Sequence, residues 1–472
     1  MPRMLALAAE PDEAALRAHI EQGLRAARRI GADGLLRLRF DLGAVEPWRL
    51  LRARGLADRP ERFAWHDEAG DLSFVALGSV ASVEAAGPAR FDAVQRWCST
   101  IFERTSLPPR EPAHVPVLVG GFAFSDAAAA EGPWAGWPAA RWWMPEVLVA
   151  RRAGRSVLVL CAPQSGSASA LAARAAAVRE ALAAPPSPPR TASIASPGED
   201  EPRERWCQGV SIVRRRIEKG ELDKVVLARA RRFKAPKGTL FDAEATAEHL
   251  RERERRAITY LVQGPHGSAF VGATPEVLAR VDGARLSTVA LAGTRQRDAD
   301  PARDRALEVE LLHSAKDRTE QSIVTAVILA ALAPLSSSIE HPDEPQIERQ
   351  RHVVHLRTPI SAVLRPGKGP LEVAARLHPT PAVAGAPVGE ALAAIAEHEA
   401  LHRGWYAGPI GWLGGERAVF AVALRSALLQ EEEAWAFAGA GIVAASDPEA
   451  EWRETAHKMA TIERSLAARE KA

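Results

Sequence analysis

The chain has 472 residues, of which 47% are hydrophobic, so it is long enough to bury a large core. Its 61 lysines and arginines nearly balance its 59 aspartates and glutamates, which argues against nucleic acid or a membrane surface as a partner. Three widely spaced cysteines fit neither a disulfide framework nor a zinc knuckle. The apolar run from Met4 to Ala9 is too short for a secretory signal, so we expect a cytoplasmic protein.

The first 200 residues are predicted to form a strand-rich region that ends in a linker. Strands are predicted at 35–41 and 115–124, with one hairpin through 67–70 and another over 147–160. An alanine-rich helix over 168–184 then runs into a proline- and serine-rich stretch that continues to residue 202. The sequence therefore predicts an N-terminal region, 1–200, followed by a second domain, 204–468.

The second domain contains strands and helices in clusters rather than in strict alternation. A helix is predicted at 204–219, a long helix at 303–332 and a terminal helix from Pro448. Strands are predicted at 224–233, 258–262, 269–273, 277–281, 286–291, 419–428 and 434–438. Clustered elements predict an α+β fold in which large antiparallel sheets are flanked by helices.

The terminal helix carries a group of charges on one face. Glu451, Glu454 and Lys458 are spaced three and four residues apart, so they share that face. Carboxylates this close raise each other's pKa unless a cation lies between them, and oxygen ligands suit a hard ion such as Mg²⁺. Together with the stretches 314–320 and 438–442, this face predicts an acidic pocket whose metal ion holds an anionic substrate.

Two shorter motifs point to other chemistries. His398-Glu-Ala-Leu-His402 matches the zinc-hydrolase pattern, but its helix is predicted to end near Arg403-Gly404 and no third ligand follows. Gly439-Ala-Gly-Ile-Val-Ala444 matches a dinucleotide fingerprint, although the next helix is predicted to begin only at Pro448. We therefore interpret these glycines as letting backbone N–H groups approach an anion, or as a tight turn.

A series of motifs after residue 204 resembles that of chorismate-utilising enzymes, and within that group isochorismate synthases. The resemblance covers about 204–468, with the motifs in the family's order. It rests on Asp223-Lys-Val-Val-Leu-Ala-Arg229, Phe270-Val-Gly-Ala-Thr-Pro-Glu276, Leu291-Ala-Gly-Thr-Arg295, Ser314-Ala-Lys-Asp-Arg318, His355-Leu-Arg-Thr-Pro359, Leu377-His-Pro-Thr-Pro-Ala382, Trp405-Tyr-Ala-Gly-Pro409, Ala423-Leu-Arg425 and the segment 438–458.

The resemblance implies the chorismate-utilising fold, dependence on Mg²⁺ and conversion of chorismate to isochorismate. It makes Lys224 the base that activates water and Glu276 the acid that protonates the leaving hydroxyl. The metal carboxylates would be Glu320, Glu451 and Glu454. The substrate-binding residues would be Gly293, Thr294, His378, Tyr406, Arg425, Gly439, Gly441 and Lys458.

Related activities of the same family stay open from sequence alone. Salicylate synthases share the lysine and then eliminate pyruvate, and they are the nearest alternative. Anthranilate and aminodeoxychorismate synthases add ammonia, which Lys224 and Ala292 argue against. A chorismate sensor without turnover would have no need of a paired base and acid. The product is expected to serve menaquinone or siderophore synthesis, and the oligomeric state is not predicted.

Overall fold

The computed structural model describes residues 13–53, 60–106, 115–184, 196–349 and 353–470. Within these ranges no helix has the length and apolar character needed to cross a bilayer. Short 3₁₀ helices occupy Pro47–Arg52 and Pro265–Gly267. The α-helices are α1 Glu13–Ile30, α2 Arg90–Arg104, α3 Ala168–Ala183, α4 Arg203–Glu218, α5 Ala243–Arg253, α6 Pro301–His313, α7 Ala315–Leu332, α8 Pro370–Leu377, α9 Val388–His398 and α10 Pro448–Glu463.

The strands fall in two groups along the chain. Those before α4 are β1 Leu35–Gly43, β2 Arg62–Asp67, β3 Leu72–Leu77, β4 Ala81–Ala85, β5 Thr105–Ser106, β6 Leu118–Phe122, β7 Ala140–Met144, β8 Val147–Arg152, β9 Arg155–Pro163 and β10 Ser196–Asp200. Those after it are β11 Lys224–Lys234, β12 Thr239–Phe241, β13 Ile258–Gln263, β14 Ala269–Thr274, β15 Val277–Asp282, β16 Arg285–Gln296, β17 Ser336–Glu340, β18 Gln346–Arg349, β19 Val353–Leu364, β20 Gly385–Ala386, β21 Pro409–Leu413, β22 Arg417–Val422, β23 Ser426–Gln430, β24 Glu433–Ile442 and β25 Ala468–Glu470.

Two large sheets organise the described residues. The larger runs β10-β11-β24-β23-β14-β13-β2-β3-β8-β9-β1-β5, with β20 also pairing β11. The smaller runs β17-β19-β16-β15-β22-β21-β6-β7-β4, with β18 also pairing β19. Neighbouring strands are antiparallel except for the parallel pair β1 and β5. The predicted α+β fold with large antiparallel sheets and flanking helices is confirmed.

Both sheets contain strands from either side of the predicted boundary near residue 200. In the larger sheet β2 pairs with β13, and in the smaller sheet β6 pairs with β21. Residues 196–200 of the predicted linker form β10, which pairs with β11, whereas 185–195 lie outside the described residues. The division into 1–200 and 204–468 stays a prediction about the sequence, and a truncation tests it below.

Strand alternation divides most of the core into two large apolar clusters, because successive side chains of a strand point to opposite faces. On β2, Phe63 and Trp65 belong to the cluster that also contains Phe420 and Trp142 of the smaller sheet. Between them in sequence, Ala64 belongs to a second cluster that includes residues of α1, α3, α5 and α10. Helices thus cover one face of the larger sheet, and its other face packs towards the smaller sheet.

The single helix predicted over 303–332 is wrong, because two helices meet at Ser314. Ser314 has extended backbone angles (φ −67°, ψ 110°), and its side chain accepts a hydrogen bond from the N–H of Asp317. It therefore ends α6 and caps the N-terminus of α7. Residues 313–322 are almost all polar but include no glycine or proline, so the sequence pattern alone does not reveal the break.

The single strand predicted over 419–428 is also wrong. The chain leaves the smaller sheet at the end of β22 and enters the larger sheet at β23, which begins at Ser426. Arg425, just before β23, has a left-handed backbone (φ 47°) that no regular strand contains. Each half of the predicted strand is extended, but the halves belong to different sheets.

Candidate active site

The site lies where the chain twice crosses between the two sheets. One crossing runs from β14 to β15 and carries Glu276; the other runs from β22 to β23 and carries Arg425. Backbone hydrogen bonds join the crossings, from the N–H of Val422 to the carbonyl of Glu276 at 3.0 Å and from the N–H of Ala273 to that of Arg425 at 3.1 Å. The fold therefore fixes the predicted acid and the predicted carboxylate-binding arginine side by side.

Strands β11 and β24 bring the predicted base and the two glycines together. Lys224 opens β11 and is 7% exposed, and the register pairs Val226 with Gly441 and Ala228 with Gly439. A Cβ on Gly441 would lie 2.9 Å from Cε of Lys224, and one on Gly439 would lie 3.3 Å from the Tyr406 hydroxyl. The absent side chains therefore leave room for the lysine and the tyrosine.

Helix α7, which packs against β16 and β19 of the smaller sheet, carries Glu320. Near its start, Asp317 accepts a hydrogen bond from Nη2 of Arg295 at 2.8 Å. The next turn is held by Gln321, whose Nε2 donates to the carbonyl of Ala290 at 3.0 Å and to Oγ1 of Thr358 at 2.9 Å. Glu320 thus stands between two anchored side chains of the same helix.

Helix α10 contributes the predicted face of Glu451, Glu454 and Lys458. Asp447 caps it, accepting a hydrogen bond from the N–H of Ala450 at 2.8 Å, with Pro448 at the first position. From β11, the buried Arg229 donates to Oγ1 of Thr455 at 2.8 Å. These contacts hold the helix against the sheet that carries Lys224.

These elements enclose a cavity of about 270 Å³, close to the lower end of the range of roughly 300–1,000 Å³ typical of small-molecule sites. Eleven of the thirteen predicted site residues line it: Lys224, Glu276, Gly293, Glu320, Tyr406, Arg425, Gly439, Gly441, Glu451, Glu454 and Lys458. A larger cleft of about 920 Å³ lies beyond Arg425, but Arg425 is its one predicted site residue among those described.

Two predicted substrate-binding residues are not placed in this cavity. The Nε2 atom of His378 lies 3.0 Å from the carbonyl oxygen of Phe124, and its ring packs edge-on against the Phe124 ring. Burial lowers the pKa of His378 to about 3, so the ring is neutral. His378 is therefore a packing residue in this structure. The backbone of Thr294 lies in β16, but its side chain is outside the described residues.

The carboxyl group of Glu276 is suited to hold a proton near neutral pH. Burial raises its pKa from the usual 4.5 to about 7, against the opposing influence of Lys224 and Lys458. Because both lysines interact with this carboxyl group, the predicted acid and base face the same space.

Two lysine–glutamate pairs line the same cavity. Nζ of Lys224 lies 2.6 Å from Oε1 of Glu320, and Nζ of Lys458 lies 2.6 Å from Oε1 of Glu454. Burial alone would raise the pKa of Glu454, but Lys458 and Arg425 outweigh it and lower that pKa. Nζ of Lys458 also donates to the carbonyl of Gly439 at 2.9 Å.

Two lining residues, His355 and Arg403, were not predicted as site residues. His355 lies opposite Thr294 across β16 and β19, and its Nδ1 is 3.2 Å from the carbonyl of Gly293. Burial, aided by Arg425, lowers its pKa to about 4. His355 opens one of the family motifs, so its place in that series was an available signal. For Arg403, the sequence pattern predicts only the end of a helix.

Neither competing motif has the geometry its chemistry needs. Helix α9 ends at His398, so His398 and His402 do not lie on one helical face, and Nδ1 of His402 accepts a hydrogen bond from the N–H of Gly404. Gly439 and Gly441 lie within β24 without positive φ, so they form neither a tight turn nor the start of a helix. The zinc-hydrolase and dinucleotide interpretations are wrong.

The carboxylates at the cavity fit a hard divalent cation. Glu320, Glu451 and Glu454 supply oxygen atoms alone, and two of them already hold a cationic partner. Among the described residues, no three acidic, histidine or cysteine side chains converge into a ready-made metal cluster. Mg²⁺ does not require one, because it keeps several waters and binds through one or two carboxylates together with oxygen atoms of a substrate.

A family model described as "Chorismate binding enzyme" matches residues 22–467. The chain belongs to this family. Among curated relatives of the family, the chain is 35% identical to the salicylate biosynthesis isochorismate synthase of Pseudomonas aeruginosa, over 96% of this chain and 94% of the relative. It is 31% identical to the isochorismate synthase MenF of Bacillus subtilis, over 84% and 86% of the two chains.

Among solved structures, the fold is similar to that of the menaquinone-specific isochorismate synthase MenF from Escherichia coli. The TM-score is 0.77 at 26% identity, with 95% of this chain and 99% of that chain covered. The match spans nearly all of both chains. This chorismate-binding enzyme therefore shares its whole architecture, including the strands before residue 200, with a structurally known member of the family.

Proposed function

We propose that this protein is an isochorismate synthase, which adds water at ring C2 of chorismate and removes the C4 hydroxyl. The observation that carries the proposal is that a buried lysine, Lys224, and a carboxyl group with a pKa of about 7, Glu276, line the same small cavity. A base and an acid are both needed because water must lose a proton as it attacks and hydroxide is a poor leaving group.

Lys224 is proposed as the base. Its amine, the ammonium partner of Glu320 in this structure, must first lose a proton, and the neutral amine then takes one proton from the attacking water as the C2–O bond forms. Both ring double bonds shift: C1=C2 becomes C1=C6 and C5=C6 becomes C4=C5 as the C4–O bond breaks. The hydrogen bond to Glu320 fixes the direction of the lysine side chain, and Gly441 leaves space for it.

Glu276 is proposed as the acid. Its proton passes to the departing C4 hydroxyl, which leaves as water, so one water is consumed and one is released. A carboxyl group with a pKa of about 7 is largely protonated in neutral solution and still acidic enough to donate. Proton exchange with solvent then restores the protonated carboxyl group and the neutral amine.

The two carboxylates of chorismate are proposed to bind to two different groups of cavity residues. Arg425, Tyr406 and the backbone at Gly439 and Gly441 form one group, in which the half-buried guanidinium suits bidentate contact with the enolpyruvyl carboxylate. Glu320, Glu451 and Glu454 would hold Mg²⁺ directly or through water, with Lys458 beside them. When bound, the metal would neutralise and orient the ring carboxylate.

The destination of the product is proposed as menaquinone or siderophore synthesis. The two long relatives described above are named for salicylate biosynthesis and as MenF, and the solved structure is described as menaquinone-specific. A cytoplasmic location remains a prediction from the sequence.

The test is to incubate the purified protein with chorismate and Mg²⁺, without ammonia or glutamine, and to identify the product by chromatography. We expect isochorismate, with no turnover after the metal is removed by a chelator and recovery when Mg²⁺ is restored. Salicylate with pyruvate would instead assign a salicylate synthase. Anthranilate formed only with ammonium would contradict water as the nucleophile.

A further inference from the structure

An ion pair between Glu399, in the stretch that matches the zinc-hydrolase motif, and Arg403, which follows that stretch, has no role in the proposed chemistry. Glu399 and Arg403 are almost fully buried, with 2% and 3% of their side chains exposed. Nε of Arg403 donates to Oε2 of Glu399 at 2.9 Å, and its Nη2 donates to Oε1. Buried pairs of this kind are weak evidence for stability, because desolvation offsets much of their attraction.

The pair fills a gap along one edge of β11. On that edge, β20 pairs with residues 224 and 225, and β10 pairs with β11 again only from residue 231. Between them, the N–H of Ala228 donates to Oε1 of Glu399 at 2.7 Å, and Nη2 of Arg403 donates to the carbonyl of Val226 at 2.7 Å. Two charged side chains thus make the hydrogen bonds that a neighbouring strand would otherwise make.

Arg403 also joins β11 to other walls of the cavity. Its Nη1 donates to the carbonyl of Val383 at 2.8 Å, and its own carbonyl accepts from the N–H of Tyr406 at 3.0 Å. Its guanidinium lies 4.1 Å from the centre of the Phe124 ring, and Phe124 in turn contacts His378. Arg403 therefore contacts the strand of the base, the loop of Tyr406 and the loop of His378.

We propose that Glu399 and Arg403 are positioning residues, which hold the first part of β11 so that Lys224 remains aligned with Glu276 across the cavity. The inference rests on the proposed function. Arg403 lines the cavity, but Glu399 balances its charge, so the pair adds no net charge to attract a dianion. Loss of the pair should therefore reduce turnover more than substrate binding, since a displacement of about 1 Å can lower a rate about 100-fold.

The experiment compares Arg403→Met, Glu399→Leu and Glu399→Gln with wild type in the full-length protein. We expect kcat to fall about 30- to 100-fold in Arg403→Met and Glu399→Leu while KM for chorismate stays within about 3-fold. Glu399→Gln should retain more turnover than Glu399→Leu, because its amide oxygen still accepts from the N–H of Ala228. Hydrogen exchange followed by mass spectrometry should show faster exchange in the 224–230 segment of Glu399→Leu.

Arg280→Met is the matched control, because Arg280 pairs at 2.6 Å with Asp67, which is 3% exposed, outside this cavity. The inference would be overturned if Arg280→Met, at the same loss of thermal stability, lost as much kcat as Arg403→Met. It would also be overturned if Arg403→Met raised KM for chorismate without changing kcat. Unchanged hydrogen exchange in the 224–230 segment of Glu399→Leu would overturn the inference independently of the kinetic measurements. Failure of the proposed function is seen separately, as a wild-type protein that does not convert chorismate.

Discussion

Glu276 acquires its unusual acidity from where the chain crosses between the sheets. The crossing places its carboxyl group inside the protein, and burial raises the pKa although two lysines oppose the shift. The two lysines offset this rise in pKa only in part, because each also contacts another glutamate. Lys224 contacts Glu320, and Lys458 contacts Glu454. A single residue thereby combines a protonated state near neutral pH with a position in the cavity where we propose that the ring reacts.

This pKa predicts how activity depends on pH. The acid must be protonated to donate, so once the Lys224 amine is neutral kcat/KM should fall about tenfold per pH unit above pH 7. Glu276→Gln should lose at least about 100-fold in kcat, within the roughly 10²–10⁴-fold typical of a general acid. Steady-state rates across pH 5.5–9 test both points, and a Glu276→Gln variant with the kcat of wild type would contradict the assignment.

Stability provides an independent check on the same residue. Near pH 4 the carboxyl group is protonated in both the folded and the unfolded protein. As the pH rises from about 4.5 to about 7, the unfolded chain loses this proton before the folded one does, so wild type loses stability. Glu276→Gln should therefore be more stable than wild type at pH 8, by about 1–3 kcal/mol, and equally stable near pH 4. Denaturant titrations at both pH values measure the difference.

Gly441 gives a second prediction about a single residue. A Cβ at this position would lie 2.9 Å from Cε of Lys224, so Gly441→Ala should displace the base and lower kcat about tenfold or more. Gly389→Ala in α9 is the matched control, because a Cβ there meets no atom within 4 Å. The test is to measure kcat for both variants. Equal kcat values in Gly441→Ala and Gly389→Ala would show that Lys224 tolerates the added methyl group.

The spacing of residues predicted the site better than any single residue type did. Glu451, Glu454 and Lys458 could be placed on one face from helical geometry alone, and the motif series added Lys224, Glu276 and their neighbours. His378 follows the family motif but packs on Phe124, and Arg403 acts through backbone carbonyls of β11 and Val383. Contacts to a distant backbone depend on tertiary structure, so no local pattern reports them.

Among the elements, predictions failed where a short polar interruption changes the direction of the chain. Ser314 ends one helix and begins another within a single residue, and the crossing at Arg425 moves the chain from one sheet to the other. In both places no glycine or proline marks the interruption in the sequence. Each interruption lies beside the active site, where it directs a functional side chain towards the cavity.

The break at Ser314 predicts a connection between helix capping and metal binding. Ser314→Ala removes the cap of α7 and should cost about 1 kcal/mol of stability. Because Glu320 lies in the second turn of this helix, the Mg²⁺ concentration for half-maximal activity should rise about 3- to 10-fold. Asp300→Ala removes the cap of α6 and is the control. A similar Mg²⁺ requirement in Ser314→Ala and Asp300→Ala would show that the cap of α7 has no specific effect on metal binding.

At the scale of the whole molecule, the strands before residue 200 complete both sheets. The strand pairs β2 with β13 and β6 with β21 join the first part of the chain to the second. Tryptophans of the first part, Trp134 and Trp137, pack on Phe270 and Trp405 of the second. Composition and motifs could not predict this arrangement, because the pairing of distant strands leaves no local signal, and the motifs lie after residue 204.

These contacts predict that the segment with the family motifs does not fold independently. A chain beginning at residue 203 would expose the edges of β13 and β21 and the apolar faces that Trp65, Trp134 and Phe122 cover. We expect this truncated chain to aggregate or to lack a cooperative thermal transition, and to have no turnover. Circular dichroism melting and size-exclusion chromatography test this against the full-length protein. A monomeric truncated chain that melts cooperatively would show that residues 204–468 form an autonomous domain and that the shared sheets are dispensable for its stability.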